Sequence, residues 1–135
     1  MKTFHLQIVT PDGPVFDSEA ESIIVKTKEG YIEIMRGHAD FFAPIEVGSV
    51  KLTVDGKSKY AAASGGFISV KNAEAMLVAT TFEYAEQIDE KRAHEAKLRA
   101  ESSLKTATDE NAILIAKAKL SRALNRINTV RKGVK

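Results

Sequence analysis

Phe4, Leu6 and Ile8 alternate with Thr3, His5 and Gln7. The same period of two recurs at Ile32 and Ile34 against Tyr31 and Glu33, and at Val50, Leu52 and Val54 against Lys51 and Thr53. Such alternation sends one set of side chains to a buried face and the other to water. Between the runs stand Asp12-Gly13, Glu29-Gly30, Asp55-Gly56 and Gly65-Gly66. Asp-Gly supplies the positive φ angles of tight hairpins, so all four pairs read as turns. The pattern predicts an antiparallel β sandwich over residues 1–86, with a ninth or tenth strand through Met76 to Val78.

The periodicity then changes. From about Gln87 to Lys105 the residues are strong helix formers. Glu95–Arg99 and Glu101–Lys105 are i,i+4 pairs in the favourable order. "KTATDEN" interrupts the pattern, and Asp109 and Glu110 suit the start of a second helix, whose dipole favours negative charge. That helix carries Ile113, Ala116, Leu120, Ala123, Ile127 and Val130, a narrow seam at alternating spacings of three and four. The first helix answers with Ala93, Ala96 and Ala100. Residues 87–135 therefore read as an antiparallel two-helix hairpin, and the chain as α+β. Alanine buries little surface, at about 25 cal/mol per Å². A hairpin so thinly packed must lean on the sandwich, a partner or a ligand.

Length and composition narrow the class. A chain of 135 residues fits one domain with an appendage, and with no cysteine it has no disulfides. Met1 to Thr10 lacks the apolar run of a secretory leader, and no stretch nears the roughly 20 apolar residues of a membrane span. A soluble or peripheral protein is expected. Charge is unevenly divided. Residues 1–86 hold 8 Lys+Arg against 12 Asp+Glu, a net of −4, while residues 87–135 hold 12 against 6, a net of +6. No acidic residue follows Glu110, so the second part suits phosphate or an acidic protein surface.

Candidate chemistry concentrates at "IDEKRA", Ile88 to Ala93. One reading is a plain helix start, with Asp89 and Glu90 in the first turn and solvated Lys91 and Arg92. The other rests on spacing. Arg92 and Arg99 share one face, as do Arg122 and Arg126 on the second helix. If the helices fold back, four guanidinium groups converge, which calls for an anion such as phosphate. Glu83 and Asp89 would accept from the amino group or hydroxyls of a nucleotide. "DGKSK" is no phosphate-binding loop, since Lys51 stands where the pattern needs glycine. Without a positioned base the reading is a binder, not an enzyme, with no catalytic residue. The scattered His5, His38 and His94 suggest no metal site. Two other classes stay open: a free-standing ATP sensor, and a nucleic-acid binder using the basic last helix. The second lacks aromatics for base stacking.

The whole chain resembles the epsilon subunit of bacterial F-type ATP synthase. "EGYIEIMRGHADFFAPI" is similar to a Gly-His region of that family and "ASGGFISV" to its Ser-Gly-Gly-Phe signature, in the same order before the helical ending. Asp40-Phe41-Phe42 and Tyr31 depart from the pattern in the β part, and Ile115 departs on the second helix. The resemblance implies a sandwich of about ten strands followed by two helices. It further implies a non-catalytic central-stalk subunit that couples proton flow to ATP synthesis and inhibits hydrolysis. Its partners would be the gamma subunit, the c-ring and the alpha/beta catalytic hexamer, with no nucleic acid. It would sit on the cytoplasmic face of the bacterial cell membrane and meet the membrane only through the complex. ATP, with or without magnesium, is the implied regulatory ligand. The nucleotide-binding motif maps onto Ile88, Asp89, Arg92 and Ala93, and further ligands onto Glu83, Arg99, Arg122 and Arg126.

Overall fold

A computed structural model describes residues 2–133. Eight strands come first: β1 (Phe4–Thr10), β2 (Gly13–Ala20), β3 (Ser22–Thr27), β4 (Gly30–Met35), β5 (Phe41–Pro44), β6 (Gly48–Val54), β7 (Lys57–Lys71) and β8 (Glu74–Tyr84). The alternation is observed as expected. Phe4, Leu6, Ile8, Ile34, Val50 and Leu52 are all buried. Asp55 (φ 52°) and Gly56 (φ 75°) are both left-handed and close the β6–β7 hairpin, the geometry whose twist suits such turns.

The strands form one hydrogen-bonded path, β2-β1-β8-β7-β6-β3-β4, with β5 also on β7. One edge of β7 pairs with β6 through Lys57–Ala63 and then with β5 through Phe67–Val70. β8 follows β7 along its length, but meets β1 only through Glu74–Val78. Each long strand therefore gives one half to each layer of the sandwich. The expected ten or so short strands are eight, because β7 and β8 are each counted twice when the layers are read separately. Gly65-Gly66 is accordingly not a turn but the point within β7 where the chain passes from one layer to the other (φ 65° and 97°). The antiparallel expectation also needs one correction. β1 and β8, the first and last strands of the sandwich, pair in parallel, because the rest of the sandwich separates them in sequence. Phe42 is 64% exposed, with its ring 5.1 Å from that of Phe67.

A 3₁₀ turn at Ala85–Gln87 leads into α1 (Glu90–Thr106) and α2 (Glu110–Gly133). α1 starts later than the helix-forming residues suggest. Asp89 stays extended and its carboxylate accepts from the Arg92 amide at 3.1 Å, capping the helix. Asp109 caps α2 in the same way, accepting from the Ala112 amide at 2.7 Å. Ala93, Ala100, Ala116, Ala123 and Ile127 are buried, whereas Ile113, Leu120 and Val130 are half-buried. Among the described residues, neither Glu95–Arg99 nor Glu101–Lys105 closes to an ion pair.

The hairpin is folded down, with α2 resting on β7 and β6. The contact is polar where a core would be greasy. Thr129, fully buried, donates to the Asn125 carbonyl at 2.7 Å, and its hydroxyl lies 2.7 Å from that of Ser49. The Asn125 amide donates to the Gly48 carbonyl at 3.0 Å. Thr129→Val keeps the shape and leaves the buried Ser49 hydroxyl without its partner, at a cost of about 1–3 kcal/mol. Hydrogen exchange along the C-terminal half of α2 should accelerate about tenfold or more. Protection equal to the wild type would show that these hydroxyls do not hold the helix down.

Candidate functional site

Glu83 projects from the end of β8, Ile88 and Asp89 from the turn before α1, and Arg92 and Arg99 from α1. Two helical turns bring the two arginines to one side. Arg126 arrives from α2, and its Nε donates to Glu83 Oε1 at 2.7 Å. Both members of this ion pair are half-exposed, so it steers geometry more than it stabilises. These side chains, together with Gln87, Ala93 and Ala96, wall a groove of about 240 Å³. Seven of the eight residues singled out in the sequence thus share one groove.

Arg122 lies in a second groove, about 350 Å³, between α1 and α2. Its walls include Ala96, Arg99 and Arg126, which also line the first, so the two form one continuous trough. The trough has an electrostatic direction. At the α1 start it offers the carboxylates of Glu83 and Asp89, the Gln87 amide and the apolar faces of Ile88 and Ala93. At the far end it offers Arg99, Lys119, Arg122 and the Ser103 hydroxyl, with no carboxylate in its lining. Among the described residues, Arg92, Arg99, Lys119 and Arg122 have no carboxylate within 4.0 Å. Guanidiniums gathered without counter-charge favour an anion among them.

The helix-start reading of "IDEKRA" is what the structure shows, and the same segment faces the converging arginines on which the other reading rests. Asp89 caps α1 through Oδ1 while the same segment walls the trough. Gln87, Ser103 and Lys119 were not anticipated. Lys119 had a legible signal, since it precedes Arg122 by three and Arg126 by seven and so shares their face. Gln87 had none, because its place depends on the 3₁₀ turn, where its Oε1 accepts from the Tyr84 amide at 3.3 Å. Beside that turn, burial first and the Glu86 carboxylate second raise the Tyr84 phenol above its ordinary pKa of 10.0, which keeps it neutral.

Residues 3–85 match the family described as "ATP synthase, Delta/Epsilon chain, beta-sandwich domain", and residues 86–131 match "ATP synthase, Delta/Epsilon chain, long alpha-helix domain". The chain is 42% identical over 128 residues to the ATP synthase epsilon chain of Bacillus velezensis, covering 95% of this chain and 97% of the relative. It is 40% identical over 132 residues to that of Bacillus subtilis, covering 98% and 100%. Among solved structures, it is similar to a chain in the Euglena gracilis mitochondrial ATP synthase, OSCP/F1/c-ring in rotational state 1. There the TM-score is 0.81 at 18% identity, over 100% of this chain and 83% of the other. A chain of the Tetrahymena thermophila mitochondrial ATP synthase central stalk/c-ring gives a TM-score of 0.66 at 14% identity, over 93% and 95%. At those identities the likeness is one of fold. Among the described residues, no helix is long and apolar enough to cross a membrane.

Proposed function

Because the chain belongs to the ATP synthase delta/epsilon chain family, we propose that it is a non-catalytic subunit of the central stalk whose hairpin senses ATP. The sandwich would grip the gamma subunit and meet the c-ring. The hairpin would regulate hydrolysis in the alpha/beta hexamer, on the cytoplasmic face of the bacterial membrane, while proton flow drives the rotor. The observation that carries the sensing role is the trough, acceptor-rich at one end and purely cationic at the other, built from both helices and the end of β8.

A nucleoside triphosphate fits that polarity in one direction. The adenine amino group and ribose hydroxyls donate to Glu83, Asp89 and Gln87, and the base packs on Ile88 and Ala93. The phosphates run from Arg92 in the first groove, past Arg99 and Arg126 at the junction, to Arg122 beyond. Bound in this way, ATP bridges α1, α2 and β8 and favours the folded-down hairpin. Without it the hairpin opens, and the basic face of α2 becomes available to acidic surfaces of the catalytic hexamer. The ligand shifts this balance only by its unequal affinity for the two forms, with each tenfold preference worth about 1.4 kcal/mol.

Titration of the full chain with ATP in a calorimeter tests the proposal. Saturable binding is expected, together with slower proteolysis between α1 and α2. No heat at millimolar ATP, with cleavage unchanged by nucleotide, would dismiss the sensing role.

A further inference from the structure

Within the trough, Lys119 occupies a position that the nucleotide reading leaves unused. It lines the cationic end beside Arg99 and Arg122. Along α2 the order is Arg126 at the junction, Arg122 about one turn further, and Lys119 about one turn beyond that, at about 1.5 Å of rise per residue. Lys119 is thus the α2 cation of this face most distant from Glu83, where the carboxylates set the base and ribose end.

We propose that Lys119 is a specificity-determining residue that holds the terminal phosphate of a nucleoside triphosphate and so separates triphosphate from diphosphate; this rests on the nucleotide reading above. The shorter diphosphate reaches Arg126 and Arg122 but ends before Lys119. The extra phosphate of a triphosphate carries the chain's highest charge density to its tip. An ammonium group is a compact point charge with three rotatable donors, suited to non-bridging oxygens whose orientation is not fixed by a fork. No carboxylate lies within 4.0 Å of Lys119 among the described residues to satisfy it otherwise. Lys117, two residues earlier and exposed, points about 160° away around the helix and serves as the control for simple charge.

The test is calorimetric titration of the full chain with ATP and with ADP, in the wild type, Lys119→Ala, Lys119→Arg and Lys117→Ala. Lys119→Ala should weaken ATP about tenfold and leave ADP within about twofold. Lys119→Arg should restore most of the ATP affinity, and Lys117→Ala should change neither ligand. The proposal is overturned if Lys119→Ala weakens ATP and ADP equally, if it moves neither, or if Lys117→Ala lowers ATP affinity as much. A wild type that binds neither nucleotide removes the nucleotide reading and this inference together. A wild type that binds ATP, with an ATP-to-ADP ratio untouched in Lys119→Ala, removes the Lys119 assignment alone.

Discussion

Gly66→Ala is expected to unfold in urea far below the wild-type midpoint. Gly66 sits at φ 97° in the middle of β7, and a Cβ there would overlap the Val78 carbonyl on β8, with the Val78 carbon at 2.7 Å and the Ala79 Cα at 3.0 Å. All three are backbone atoms of a paired strand, so no side chain can swing aside. The backbone conformation alone costs an alanine about 1–3 kcal/mol. Prising β7 from β8 adds a comparable overpacking penalty. A loss of about 3–5 kcal/mol is a large share of the roughly 5–15 kcal/mol that holds a domain together. With a urea slope of about 2 kcal/mol per M, the midpoint should fall by about 1.5–2.5 M. Gly56→Ala is the control, because its φ is 75° but nothing lies within 4 Å of the added carbon. It incurs the backbone cost alone and should fall by about half as much. Equal shifts in the two variants would mean that the crowding between β7 and β8 is not what demands glycine.

The largest functional effect is expected from Arg92→Ala combined with Arg126→Ala. One stands on each helix: Arg92 lines the first groove, and Arg126 stands where the two grooves join, on the path proposed for the phosphates. A charge-assisted hydrogen bond contributes about 1.5–3 kcal/mol. The single variants should each weaken ATP by about tenfold or more, and the pair by more than about a hundredfold. The two singles should not simply add, because Arg126→Ala also leaves the Glu83 carboxylate unpaired at the nucleotide end. Circular dichroism should show the helices intact, since α1 and α2 are capped by Asp89 and Asp109 rather than by these arginines. If the folded double variant titrates with ATP as the wild type does, the trough is not the nucleotide site.

Much of the architecture could be read from the chain. Alternation at Phe4–Ile8 and Val50–Val54 marks strands with one buried face, and Asp55-Gly56 marks a hairpin, because these signals are local. Gly65-Gly66 was misread for the same reason. A left-handed glycine pair carries the same local signature in a turn and in a strand that changes layers, and only the partner strand β8 separates the two. Helix spacing showed which arginines share a face, but not that the faces meet, which depends on how α2 settles on β7 and β6. Asn125 and Thr129 were invisible to a search for apolar seams, although their polar groups fasten the hairpin. The start of α1 was displaced because the propensities of Gln87 and Ile88 favour helix, while the Asp89 carboxylate satisfies the Arg92 amide only from outside it.

One threonine and one asparagine fasten α2 to the sandwich. The bonds that lifting α2 from β6 and β7 would break are polar, with Ile127 the large apolar side chain buried on that half of the helix. Heat capacity tracks the apolar area that becomes hydrated, so this opening should carry much less of the curvature with temperature than global unfolding shows. The open fraction would then change in one direction on warming, without a maximum in the physiological range. If the hairpin senses nucleotide as proposed, a balance of this kind would have no temperature optimum of its own, leaving nucleotide concentration as the variable to which it would answer.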